Sequence, residues 1–202
     1  MTNSLPPYNK VFFVHYQCDN FNEGERIYNM CICHNHKVKQ YDGDDEAVMI
    51  AQYCERVKQL CDEGFIPVTW NQNRKYFGID HITSRYKQLT GVDIELAYTN
   101  EIDLASSLIE IFGDDYVTTP RLDRLALLNG SFGSSNESNN SRTYPTNRIL
   151  LNSKIYHKTI HNRLKTDQNT RTDSVKEQPE LYIKPLTAPK KDFTNYLIHT
   201  NK

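Results

Sequence analysis

Hydrophobic positions in the first part of the chain change from a strand period to a helix period. Residues 11–18 are mostly β-branched and aromatic, which predicts a buried strand. Residues 27–33 and 37–41 predict two further short strands joined by a polar turn. Over residues 47–61, apolar side chains recur every three or four positions, so we expect an amphipathic helix that ends before Gly64.

Four further segments continue the pattern. Residues 65–70 predict a strand, and residues 76–89, 102–112 and 121–128 each predict a helix. Three strands, a helix, a strand and further helices are typical of a layered α/β architecture in which helices flank a mixed sheet. A right-handed crossover through the first helix places the fourth strand parallel to the first. The predicted fold class is therefore α/β, with a C-terminal tail.

The composition changes near residue 130. Ser, Asn and Gly dominate the segment that follows, which favours a flexible linker. Residues 149–164 have the spacing of a basic amphipathic helix, and residues 165–202 show no sustained periodicity. We therefore divide the chain into a loose N-terminus at 1–9, a domain at 10–130, a linker at 131–147 and a basic extension at 148–202.

Charge is distributed unevenly between these parts, although the net charge is only -1. Residues 131–202 carry 12 Lys and Arg against 6 Asp and Glu, whereas residues 1–130 carry 12 against 19. A basic segment attracts polyanions such as nucleic acid, and it equally fits a tail that docks on its own acidic domain.

The sequence also indicates a compartment. It has no apolar run of 18 residues, so we expect no membrane contact, and no apolar stretch of the signal-peptide type near Met1. The five cysteines are an odd number without a secretory signal, which favours reduced thiols. Both features predict a cytoplasmic protein.

Several short motifs follow one another in the predicted domain. They are Trp70-Asn71 with Phe77-Gly78, Arg85-Tyr86 with Leu89 and Gly91, Ile102-Asp103-Leu104, and Leu122-Asp123-Arg124-Leu125-Ala126. In this order the chain resembles the ribonuclease-H-like DEDD 3′–5′ exonucleases, and most of all the branch related to family-B DNA polymerase proofreading domains. The resemblance covers residues 10–130. It implies a ribonuclease-H-like fold and a reaction that uses two divalent metals held by four carboxylates.

The carboxylates that the resemblance implies are missing from their expected positions. The first-strand Asp-x-Glu reads His15-x-Gln17, and the Phe-Asp before the second helix ends in Gly78. The final Tyr-x-x-x-Asp has no acidic counterpart, since Tyr156 is followed four positions later by Ile160. Because Mg²⁺ takes oxygen ligands, typically carboxylates, we expect no catalytic residue and no cofactor.

The sequence thus predicts a catalytically degenerate exonuclease-like domain that binds single-stranded or duplex nucleic acid. The expected contact residues are Asn71, Lys154, Lys158, Arg163 and Lys165. One alternative is an active 3′–5′ exonuclease with a rearranged site, in which Mg²⁺ or Mn²⁺ is held by Asp19, Asp80 and Asp103. Another is a structural module that binds a protein partner and no nucleic acid.

Two local patterns contain metal-ligand side chains. Cys31-x-Cys33-His34-x-His36 has the ligand types of a zinc site, but in a strand its cysteines and histidines face opposite sides. His157 and His161 share one helical face without a third ligand nearby. We predict no metal site from either pattern and interpret the histidine pair as part of a basic surface.

Overall fold

The computed structural model describes residues 5–18, 25–71, 78–96, 100–131 and 144–173. A 3-10 turn at Tyr8–Lys10 precedes the first strand. The strands are β1 (Val11–Cys18), β2 (Ile27–His34), β3 (Lys37–Asp42), β4 (Ile66–Thr69) and β5 (Ile102–Asp103). The helices are α1 (Glu46–Asp62), α2 (Ile79–Thr90), α3 (Leu104–Phe112), α4 (Arg121–Leu128), α5 (Tyr144–Ile160) and α6 (Asp167–Asp173).

The strands form one mixed sheet in the order β3-β2-β1-β4-β5. β1 pairs antiparallel with β2, and β2 with β3, whereas β1 and β4, and then β4 and β5, are parallel. The predicted α/β class is confirmed, as is the parallel pairing of the fourth strand with the first. The architecture is consistent with a ribonuclease-H-like fold.

The central strand β1 is covered on both faces because its side chains alternate between two hydrophobic clusters. Phe12, Val14 and Tyr16 pack with the apolar stripe of α1 and with Ile82 of α2. Val11 and Phe13 pack on the other face with residues of α3, α4 and α5. A strand buried on both faces carries a nearly continuous apolar run, which is why residues 11–18 show little alternation.

The predicted helix at 102–112 begins two residues late. Ile102 and Asp103 pair with Val68 and Thr69 as the fifth strand, and α3 starts at Leu104. Asp103 is the N-cap of this helix, a position that aspartate favours because its carboxylate accepts N–H groups of the first turn. The sequence signal for a helix was therefore correct, but its first two residues belong to the sheet.

The basic helix predicted at 149–164 is a core element of the structure. α5 begins at Tyr144, inside the predicted linker, and ends at Ile160. Ile149, Ile155 and Tyr156 are at most 1% exposed and lie in the same hydrophobic cluster as Phe13. The hydrophobic core therefore continues beyond the predicted boundary at 130.

The start of the described chain is also held against this helix. The Tyr156 hydroxyl donates a hydrogen bond to the Pro6 carbonyl at 2.7 Å, and the hydroxyls of Tyr8 and Ser153 are 2.5 Å apart. Residues 5–9, which we expected to be loose, thus pack along α5.

Candidate functional site

The parallel strands β1, β4 and β5 end at one edge of the sheet, which we call the carboxyl edge. Phe13 is aligned with Val68, so His15 lies beyond it toward the carboxyl edge. Thr69 is aligned with Asp103, and Asn71 follows directly after β4. In open α/β sheets, ligands bind outside the carboxyl ends of the strands, so we expect a functional site at this edge.

His15 occupies the first expected carboxylate position on β1. Its ring centroid is 6.4 Å from that of Tyr144, at the start of α5. Burial of the imidazole, together with the nearby Arg148 guanidinium, lowers the pKa of His15 to about 3. The side chain is therefore neutral at physiological pH and supplies no negative charge for a metal.

Arg148 is the most informative residue that the sequence analysis missed. Its Nη1 donates to Asp123 Oδ1 at 3.2 Å, and its Nε donates to the Tyr144 hydroxyl at 3.0 Å. The Arg148 and Asp123 side chains are only 18% and 19% exposed. Tyr144 and Arg148 have the spacing of the Tyr-x-x-x-Asp motif with arginine in place of aspartate. That spacing was the available signal, but Tyr144 lay in the predicted linker and the motif was sought at Tyr156 and Ile160.

Gly78 has a backbone conformation that disfavours the aspartate expected there. Its φ of 122° lies in a region accessible essentially to glycine alone. Its N–H donates to the Tyr16 hydroxyl at 2.7 Å, which fixes the start of α2 against β1. The residue therefore has a structural role, and a carboxylate at this position requires a different backbone.

One carboxylate oxygen of Asp103 is bound to the backbone around it. Its Oδ1 accepts N–H groups from Asn71 at 2.9 Å, from Ala105 at 3.0 Å and from Ser106 at 3.4 Å. These bonds cap α3 and hold Asn71, whose φ is 61°. Nearby, burial and the charge of Asp103 raise the pKa of Glu101 despite a hydrogen bond from the Thr69 hydroxyl.

Two residues of the rearranged metal site predicted from the sequence, Asp80 and Asp103, lie at the starts of different helices. Asp80 is exposed in the first turn of α2, a helix that packs on the face opposite α3. Asp19 lies outside the described residues, and Gln17 is half-buried near the end of β1. Within the described ranges, no group of three or more His, Cys, Asp or Glu side chains is placed to hold a metal ion.

The predicted basic residues lie at the opposite edge of the sheet. α5 runs antiparallel to β1, since Tyr144 is beside His15 whereas Tyr156 and His157 are beside Tyr8, which precedes β1. Thirteen residues separate Tyr144 from His157, a rise of about 20 Å along the helix. We call this second region the amino edge. Of the predicted contact residues, only Asn71 lies at the carboxyl edge.

At the amino edge, the Lys158 ammonium makes hydrogen bonds within the protein. Its Nζ donates to the Asn129 carbonyl at 3.0 Å and lies 3.3 Å from Asn129 Oδ1. Partial burial and the charges of Lys154 and Lys165 lower the pKa of Lys158. Arg163 and Lys165 are exposed, and Lys154 is half-buried. The predicted cations therefore form one positive region at the end of α5.

The cysteine–histidine string is divided between different surroundings. Cys31 and Cys33 are buried on the α5 face of the sheet, where burial raises the pKa of their thiols to about 12 and about 11. The His34 ring packs against Phe65, with centroids 4.4 Å apart, and His36 lies at the β2–β3 turn. All five cysteines are free thiols.

None of the helices in the described part of the chain is long and apolar enough to span a membrane. The sequence matches no protein-family model, and a search among curated proteins finds no significant match.

Proposed function

We propose that this chain is a catalytically degenerate, ribonuclease-H-like domain that binds nucleic acid through the end of α5. The observation that carries the proposal is that neutral and positive side chains lie together at the carboxyl edge. The neutral His15 stands at a position where the resemblance to DEDD exonucleases implies a carboxylate, and the cationic Arg148 lies near it. The proposal separates binding, which needs cations, from cleavage, which needs a carboxylate-bound metal.

The absence of cleavage follows from the chemistry of two-metal phosphoryl transfer. Two Mg²⁺ ions bring four positive charges, and carboxylates both ligate the ions and offset this charge. The Arg148 guanidinium repels a divalent ion at this edge, and the Asp123 carboxylate beside it already accepts a hydrogen bond from Arg148. Asp103 likewise directs one oxygen to three backbone N–H groups.

Binding is supported by the cations at the amino edge. Lys154, Lys158 and Lys165 lie close enough for the first and last to lower the pKa of Lys158. A phosphate backbone relieves this repulsion and releases its own counterions on binding. Because residues 1–130 carry excess negative charge, we expect phosphates to contact the end of α5 and to avoid the acidic surface of the domain.

A titration of the full chain with a labelled oligonucleotide tests both parts of the proposal. Binding and shortening are followed together, with and without Mg²⁺ or Mn²⁺. We expect binding without shortening. The four expected phosphate contacts are Lys154, Lys158, Arg163 and Lys165. If each neutralises one phosphate of a single strand, the logarithm of the binding constant falls with the logarithm of the salt concentration with a slope of about −3.

The double variant Lys154→Ala/Arg163→Ala is expected to reduce that slope by about 1.4, because two phosphate contacts are lost. The matched control is Lys58→Ala/Lys87→Ala, which removes two exposed lysines from α1 and α2 and keeps the slope. Metal-dependent shortening that Asp103→Asn abolishes is evidence for an active exonuclease. Failure to bind any oligonucleotide leaves the protein-binding alternative.

A further inference from the structure

Four aromatic rings from three separate parts of the chain meet at the amino edge. Tyr8 comes from the turn before β1, and His36 from the β2–β3 turn. His157 and His161 come from the end of α5 and the residue after it. We call these four residues the ring cluster. No local sequence pattern joins them.

The rings are close enough to act as one surface. Tyr8 and His36 are stacked, with centroids 4.7 Å apart and planes inclined by 14°. Tyr8 meets His157 edge-on at 5.7 Å, and the centroids of His157 and His161 are 4.3 Å apart. The Tyr8 hydroxyl is within hydrogen-bond distance of His36 Nδ1, at 3.3 Å, and of Ser153 Oγ. Tyr8 thus ties the hairpin turn to α5.

The histidines of the ring cluster face solvent, while Tyr8 supports them from below. His36, His157 and His161 are exposed, and Tyr8 is half-buried. His36 and the preceding Asn35 have φ values of 63° and 49°, so the turn is tight and presents the His36 ring at its tip. The result is an exposed aromatic platform of three histidine rings, and Tyr8 packs behind the His36 ring.

Positive charge borders the platform. Partial burial and the charges of His161, His36 and Arg163 lower the pKa of His157, which shows that these groups lie near one another. Lys154 precedes His157 by one helical turn and is half-buried. Exposed rings beside cations are the combination by which proteins bind single strands, with bases on the rings and phosphates at the cations.

We infer that the ring cluster is a binding site for one unpaired nucleic-acid strand, in which a base stacks on His36 over Tyr8 and the adjoining phosphates contact Arg163 and Lys154. This inference rests on the proposed nucleic-acid binding and deepens it. It selects single strands over duplexes because bases in a duplex are already stacked on one another. It also places the strand at the edge opposite the degenerate nuclease site.

A metal ion is a poorer occupant of the same histidines. His161 Nδ1 lies 2.7 Å from the His157 carbonyl, so this nitrogen donates to the backbone and is not a ligand. The neighbouring charge on Arg163 opposes a dication. In the described chain, these histidines are not part of a group of three metal-ligand side chains.

The test compares three probes on the full chain: a short labelled oligothymidylate, a duplex of equal length and inorganic polyphosphate. In His36→Asn the ring is removed and a residue that tolerates positive φ is kept. We expect roughly ten-fold weaker binding of the single strand, from the loss of one stacked base. Binding of duplex and of polyphosphate is expected to stay unchanged, because neither offers an unpaired base.

Tyr28→Thr is the matched control, because Tyr28 is an exposed aromatic residue of β2 that lies outside the ring cluster; this variant should bind the single strand as wild type does. The His36 ring protons should also shift upfield in NMR spectra on addition of the oligothymidylate but not of polyphosphate. Oligonucleotide binding that His36→Asn leaves unchanged overturns the stacking site and leaves the proposed function standing. Absence of binding to every probe overturns both.

Discussion

His15 shows how one half-buried residue changes the chemistry of the carboxyl edge. Its imidazole lies beside Tyr144 and near a guanidinium that is itself held by Asp123. Burial and Arg148 both disfavour the imidazolium form. The residue therefore packs as a neutral side chain at neutral pH. In acid its protonation favours the unfolded chain.

This gives a prediction about stability against pH. The pKa of His15 is about 3 in the folded chain and 6.5 in its unperturbed state, so between these values the unfolded chain binds a proton that the folded chain does not. The free energy of unfolding should therefore fall as the pH falls from about 6.5 towards 3. In His15→Gln this contribution is absent, and the decline should be shallower.

Urea unfolding midpoints measured at a series of pH values test the prediction. Other groups also lose stability in acid, including Asp167, whose pKa is lowered by its hydrogen bond from Arg124. They contribute equally to wild type and variant, so the difference between the two curves isolates His15. Parallel curves for the two proteins would contradict the assignment.

At the scale of elements, Asp103 joins a strand to a helix. It ends β5, caps α3 and, through Asn71, holds the chain that leaves β4. A carboxylate that serves three backbone N–H groups stabilises two elements at once. The same residue was a candidate metal ligand in the sequence, where a cap and a catalytic aspartate look alike.

Replacing Asp103 distinguishes these roles. Asp103→Ala should lower the free energy of unfolding by about 1–2 kcal/mol because the cap is lost. Asp103→Asn should cost much less, since asparagine caps helices nearly as well. Asp80→Ala, at an exposed position in α2, should stay within about 0.5 kcal/mol. Chemical denaturation measures all three, and equal losses for Ala and Asn would speak against the capping role.

At the scale of the molecule, α5 completes one face of the sheet. It lies on β1 and β2, contributes buried residues to the cluster around Phe13 and holds the segment before β1. Asp167, the first residue of α6, joins the chain after α5 to the rest of the molecule. It accepts hydrogen bonds from Arg124 of α4 and from the Thr118 N–H. Residues 148–173, the described part of the chain after the predicted linker, therefore belong to the folded unit.

Ile155 provides the corresponding test. The residue is 1% exposed, so Ile155→Ala should lower the free energy of unfolding by about 2–5 kcal/mol through lost burial and a cavity. Leu127→Ala, on the exposed side of α4, is the matched control and should change it by less than about 0.5 kcal/mol. Urea denaturation provides the comparison. Similar small effects for both variants would mean that α5 is not part of the cooperative core.

The sequence by itself determined most of the local elements. The strands at 11–18 and 27–33 follow from β-branched and aromatic apolar runs, and the helices at 47–61 and 121–128 follow from helical periodicity. The neutral residues His15 and Gly78, at positions where the resemblance implies carboxylates, could also be recognised, because the motifs around them are contiguous. The α/β class followed from the order of these elements.

The tertiary structure decided the rest. Arg148 meets Asp123 across 25 positions of sequence, and Tyr8 meets His36 and His157 across longer separations, so no local pattern predicts either contact. The spacing of residues 149–164 predicted an amphipathic helix, but only the folded chain shows that its apolar side packs on β1 and β2. Periodicity indicates which face of a segment is buried, because that face repeats in the local sequence. Only the folded chain determines which other segments cover that face.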